Sequence, residues 1–139
     1  MGSFPEGNTY NAVSASGATV FFTASASSVC HAFGPSVNEI YARLGASRTV
    51  SISEPSTIAC TECQTTNRMD AQFRGASLSG STVLFTTEQP LLPDAIGVGP
   101  YLYRYDFEAA EGKRVTLVSA GDGTAGRVLG VVRVSEDGS

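Results

Sequence analysis

The residues best suited to chemistry in this chain are three cysteines and a single histidine. Cys30 and His31 are adjacent, and Cys60-Thr61-Glu62-Cys63 sets two thiols at Cys-x-x-Cys spacing. Two thiolates so spaced can hold one ion in a tight turn, and a distant Cys and His complete a tetrahedral Cys3His set for zinc. Two adjacent residues seldom ligate the same ion, so Asp70, Glu62 or a neighbouring subunit is an alternative source of the fourth ligand. A second reading pairs Cys30 with Cys60 or Cys63 in a disulfide and leaves one thiol free. A third leaves all the thiols inert. If zinc binds, four protein ligands close its shell and make the site structural. An open position would instead carry a water whose pKa zinc lowers to about 7. That version would be a hydrolase of small activated esters or phosphoesters, with Glu62 and Asp70 as candidate general bases. A thioredoxin-like redox pair is disfavoured, because no helix-forming pattern follows Cys63 to lower a thiol pKa.

Other chemical motifs fail on context. Gly121-Asp122-Gly123-Thr124-Ala125-Gly126 matches the dinucleotide-binding glycine pattern and follows a strand-like run, but no helix opens after it. Asp122 and Asp137 stand in Gly-rich turns, whose ordinary chemistry accounts for them without calcium. There is no Gly-x-Ser-x-Gly elbow, and one histidine leaves a Ser-His-Asp triad without an evident serine. A formal net charge of −4 gives no electrostatic footprint for nucleic acid. No segment approaches the roughly 18 apolar residues of a membrane span. The opening Met1-Gly2-Ser3-Phe4-Pro5-Glu6-Gly7 has neither a basic n-region nor an apolar h-region, so no signal peptide is expected in it.

The elements that must position the cysteines come in repeats. Ser14-Ala15-Ser16-Gly17-Ala18-Thr19-Val20-Phe21-Phe22-Thr23 returns as Ser77-Leu78-Ser79-Gly80-Ser81-Thr82-Val83-Leu84-Phe85-Thr86, and its opening returns again as Ser135-Glu136-Asp137-Gly138. An internal repeat of this length implies a stacked architecture. Each unit begins with an alternating stretch, Tyr10–Ser16, Phe73–Ser79 or Val128–Ser135. A two-residue hairpin turn is expected next at Ser16-Gly17, Ser79-Gly80 and Asp137-Gly138, where glycine supplies positive φ. The apolar run after it does not alternate, which predicts a strand covered on both faces. Third strands are expected at Glu39–Leu44 and Tyr101–Tyr105, and fourth strands at Arg48–Ser53 and Arg114–Ser119, all rich in residues suited to a pleated surface. No segment reads as a convincing helix.

Four antiparallel strands joined by hairpins make one propeller blade. The expected fold is therefore all-β: two four-stranded blades of a β-propeller fragment plus the first strand of a third. Residues 1–9 form a tail, 10–53 blade 1, 54–72 an inter-blade loop, 73–119 blade 2, and 120–139 a linker with the incomplete blade. In such a blade the loop Ser25–Val37, holding Cys30 and His31, and the connection Glu54–Gln72, holding Cys60 and Cys63, emerge at the same end. Phe22 and Phe85 are expected to be buried between blades. Arg43 and Arg104 are expected to be equivalent, on the polar phase of their strands. The row Tyr101, Tyr103, Tyr105 and Phe107 shares one strand face and reads as blade packing rather than a stacking platform.

The pattern Ser-x-x-Gly-x-x-Val-x-Phe, followed by Leu102-Tyr103-Arg104-Tyr105-Asp106, resembles the WD40-like, TolB-type blades of large bacterial β-propeller proteins, and the likeness runs from about Tyr10 onward. The resemblance implies a binding or scaffold module, part of a larger and exported propeller. Two blades alone leave edges and apolar faces open. Association of three or four copies would close a ring of six or eight blades.

Overall fold

The computed structural model describes residues 11–25, 36–63, 67–120, 128, 131 and 134–138. Among them are seven strands and no helix: β1 Thr19–Ala24, β2 Glu39–Leu44, β3 Arg48–Ser51, β4 Ala71–Ala76, β5 Thr82–Thr87, β6 Tyr101–Asp106 and β7 Val115–Leu117. They form two antiparallel sheets with strands in sequence order, β1-β2-β3 and β4-β5-β6-β7, here called sheet 1 and sheet 2.

The repeated Ser-x-x-Gly turn explains why each sheet starts where it does. The Ser14 hydroxyl accepts the Thr19 N–H at 3.0 Å, and the Ser77 hydroxyl accepts the Thr82 N–H at 3.0 Å. The serine carbonyls are thereby free to accept the N–H of Gly17 at 2.8 Å and of Gly80 at 3.0 Å. The loop thus holds four residues between the paired Ser and Thr, and not the two that the sequence suggests. The serine side chain takes the place of one ladder bond, as Ser does in turns. Glycine ends each turn in the left-handed region, at φ 71° for Gly17, 77° for Gly80 and 76° for Gly138.

Successive turns stack on one another. Ala15 N–H donates to Leu78 O at 2.9 Å, and Leu78 N–H donates to Glu136 O at 2.8 Å. A Cβ on Gly80 would lie 2.9 Å from Ser14 Cβ and 3.0 Å from Thr19 Cβ; one on Gly138 would lie 2.9 Å from Thr82 Cβ and 3.3 Å from Ser77 Cβ. The same contact is therefore made twice, one repeat apart, and each time only glycine permits it.

The two sheets bury one common core. Phe21 and Ala42 of sheet 1 face Phe73 and Tyr105 of sheet 2, with Phe21 stacked on Phe73 at a ring separation of 5.5 Å. Phe85 and Tyr103, cross-strand partners, are stacked at 5.6 Å and wholly buried. The Tyr103 hydroxyl donates to Gln89 O at 3.1 Å and accepts the Leu91 N–H at 3.1 Å, so the phenol is satisfied inside the core. Burial pushes its ionisation well above the ordinary tyrosine range. Tyr101, Tyr103 and Tyr105 all lie on this inner face, as the alternation of β6 predicts.

Three expectations change. Phe22 is 41% exposed, because sheet 2 covers the Phe21 side of β1 and leaves the Val20–Phe22 side outward. Phe22 pairs with Tyr41 and Phe85 with Tyr103, so the tyrosines are equivalent; Arg43 then corresponds to Tyr105, and Arg104 to Ala42. Matching arginine to arginine slips the alignment by one residue and exchanges the faces. The first strand expected over Tyr10–Ser16 shrinks to one bridge, Val13 to Val20, with Asn11 turning out of the strand path at φ 59°. Most of the strand expected over Val128–Ser135 lies outside the described residues.

This packing makes a directional prediction. Phe85→Ala should lower unfolding free energy by about 3–5 kcal/mol. The equivalent Phe22→Ala should cost less, about 1–2 kcal/mol, since its ring is 41% exposed. Urea denaturation of both variants checks the contrast.

Candidate functional site

The loops that carry the cysteines leave the sheets at one end. Asn38 N–H donates to Asp70 Oδ1 at 2.8 Å, and Ala71 N–H donates to Asn38 O at 2.8 Å. The start of β2 is thus tied to the start of β4, and the connection between β3 and β4 begins and ends beside the start of β2. Cys30 and His31 lie outside the described residues.

The β3–β4 connection is held at several points along its length. Its first turn forms around Ser56, whose carbonyl accepts the N–H groups of Ala59 at 3.1 Å and Cys60 at 2.9 Å. Ile58 packs against Gly112, where a Cβ would approach Ile58 Cγ2 to 2.8 Å. Cys60, buried, is joined to Cys63 by a disulfide with a Cα–Cα distance of 5.3 Å. Neither disulfide weighed from the sequence, Cys30 to Cys60 or Cys30 to Cys63, is this one. The reason is local: the turn already brings the two Cα atoms within bridging range. Closing so short a loop constrains the unfolded chain far less than a Cys30 bridge would, so the bond shapes a turn rather than stapling distant loops.

Further along, Arg68 reaches into the sheet. Its guanidinium bonds the carboxylate of Glu39, which is 1% exposed, and approaches Glu54 at 3.5 Å. Ser53 completes the node, donating its hydroxyl to Glu39 Oε2 and accepting the Ile40 N–H at 2.9 Å. Met69 N–H then donates to Oε1 of the buried Gln89 at 3.1 Å. Burial, and then the nearby Glu54 and Glu39 carboxylates, push the Tyr41 phenol up, against an opposing pull from Arg68.

Of the residues selected from the sequence, Cys60 and Cys63 are brought together. Glu62 between them is exposed, and Asp70 is exposed with one carboxylate oxygen given to Asn38 N–H. Metal binding by the cysteines concerns their reduced form, since thiolates are the ligands. Sequence reasoning missed Glu39, Arg68 and Ser53. Glu39 and Arg68 look like ordinary surface charges, and only the burial of the first position of β2 distinguishes them. Beside this node a groove of about 520 Å³ runs along the outer side of sheet 2, lined by Arg68, Met69, Asp70, Arg74, Thr86 and Glu88 among others. Both of its cations are engaged: Arg68 as above, and Arg74 with Thr86 Oγ1 at 2.9 Å and Gln72 Oε1 at 2.6 Å.

Comparison with protein-family models, with curated proteins and with solved structures finds no match for this chain.

The buried carboxylate dictates the effect of substitutions here. Arg68→Ala leaves Glu39 buried with only a hydroxyl partner and should cost about 3 kcal/mol. Replacing both charges, in Glu39→Gln with Arg68→Met, should recover most of that loss. Thermal and urea melts of the single and double variants form the cycle that measures it.

Proposed function

We propose that this chain is a binding or scaffold module built as two blades and part of a third of a bacterial TolB-type β-propeller. The observation that carries the reading is the stacked turn. Gly80 sits on Ser14 and Thr19 as Gly138 sits on Ser77 and Thr82, with the same backbone bond linking each turn to the next. One operation relates unit 1 to unit 2 and unit 2 to the third turn, which is what a radially repeated blade requires. The face-to-face antiparallel sheets, with strands in sequence order, support the same reading. The function it implies is display: loops gathered at one end of rigid sheets, with the cysteine loop among them.

Such a unit is completed by others of its kind. Three or four copies would close six or eight blades, and light scattering at micromolar concentration should report a particle of that size. A monodisperse monomer would overturn the closed ring.

The cysteine loop adds a second test. In the reduced chain Cys30, His31, Cys60 and Cys63 form the proposed zinc set. Metal analysis after reduction should find about one zinc per chain, with sulfurs about 2.3 Å from the ion by X-ray absorption. Zinc retained by the Cys60→Ser, Cys63→Ser double variant would rule this set out. Ester hydrolysis that appears with zinc and disappears with a chelator would favour a hydrolase over a scaffold.

A further inference from the structure

We propose that the outward face of sheet 1, centred on Phe22 and Tyr41, docks the outward face of sheet 2 of a second copy of this chain, centred on Leu84 and Leu102. The proposal rests on the repeat reading above and names the surfaces through which copies would join.

The docking face is already built as an interface. Phe22 and Tyr41 are cross-strand partners stacked at 5.7 Å with 21° between ring planes; Phe85 and Tyr103 are stacked at 5.6 Å with 28°. The two pairs have the same place in the repeat and nearly the same geometry. Yet Val83, Phe85 and Tyr103 are each 0% exposed, while Val20 is 36% and Phe22 41% exposed. On sheet 1 the same aromatic pair is only partly covered, with the Phe22 ring on the open side.

What covers the equivalent pair is known from within the chain. Phe85 and Tyr103 lie under the inward face of sheet 1, formed by Phe21, Ile40, Ala42 and Leu44. By register the counterparts of those residues in unit 2 are Leu84, Leu102, Arg104 and Asp106, the outward face of sheet 2. Leu84 and Leu102 are half-buried apolar residues there. A second copy carries that face, and placing it on sheet 1 repeats the contact that already joins the two sheets.

Polar groups on the two faces are satisfied within each copy: Arg43 bonds Thr49 Oγ1 at 2.9 Å and Ala46 O in its own hairpin, and Arg104 on the outward face of sheet 2 pairs with Asp106 at 3.4 Å. The backbone is continuous with the docking as well. Each turn glycine beyond the first rests on the Ser and Thr of the preceding unit, whereas a Cβ on Gly17 would meet nothing within 4 Å. The seat it would take, on Ser77 and Thr82 of another copy, is held in that copy by Gly138. Docking therefore displaces the Ser135–Gly138 turn. The contact is head-to-tail, so it propagates until a ring closes.

Sedimentation equilibrium on the whole chain and on variants tests this, with circular dichroism melts to show that each variant folds. Phe22→Ser and Leu102→Asp should each raise the dissociation constant roughly thirtyfold, the loss of a single anchoring side chain. Removing residues 135–139 should tighten association. Assembly unaffected by Phe22→Ser and Leu102→Asp would overturn this surface and leave the propeller reading standing. A truncation that weakens assembly would also overturn it. A monomeric parent chain would overturn both the surface and the ring.

Discussion

The separation of the two sheets is set where the backbone of one turn meets the side-chain roots of the turn before it. Gly80 lies directly against Ser14 and Thr19, closer than any side chain would allow. With that end clamped, Phe21 meets Phe73 at stacking distance. The Ser14 and Ser77 hydroxyls make the clamp possible by taking a ladder N–H and releasing a carbonyl to the glycine. Three residue types per turn therefore carry the geometry of the whole repeat. The large side chains between the sheets vary around it: Phe21 in one unit is Leu84 in the next.

The opposite end is held by polar chemistry. A connection with little apolar content cannot hold itself against the entropy of a long loop. Here it is tied instead by Arg68 to a buried carboxylate, by Asp70 to the start of β2, and by Met69 to Gln89. These bonds reach both sheets, so the loop acts as a strap across the end where β2 and β4 begin. Its two ends are tied by bonds that do not depend on the redox state of Cys60 and Cys63, and oxidation or reduction acts on a local turn.

Much of this was legible in the residues. The third strands were readable to within a residue, because Glu39–Leu44 and Tyr101–Asp106 are dense in β-forming side chains and bounded by turn residues. The repeat showed that the units stack. What the residues did not show was which face of each sheet would be covered. The run Val20-Phe21-Phe22 is apolar throughout, like Val83-Leu84-Phe85, so pattern alone assigns both the same burial. β5 is buried at every position but Leu84, whereas β1 leaves Val20 and Phe22 exposed. The one-residue slip between Arg43 and Arg104 has the same origin, since like residues were matched where like positions differ in charge. The Glu39–Arg68 pair was illegible for another reason: its partners are distant in sequence, and neither belongs to the repeat.

The Tyr103 hydroxyl holds Gln89 and Leu91 at the root of the excursion between β5 and β6. Tyr101 adds a second tie, donating to Gly97 O at 2.7 Å. Between and beyond these anchors the tip is bare: Ile96 is 61% and Val98 82% exposed. Anchorage and sequence are thus uncoupled along this loop. Its base is written by strand residues that the core requires, while its tip is free to drift without cost to the fold. Variation at such a place changes what is presented and leaves the presenting frame alone.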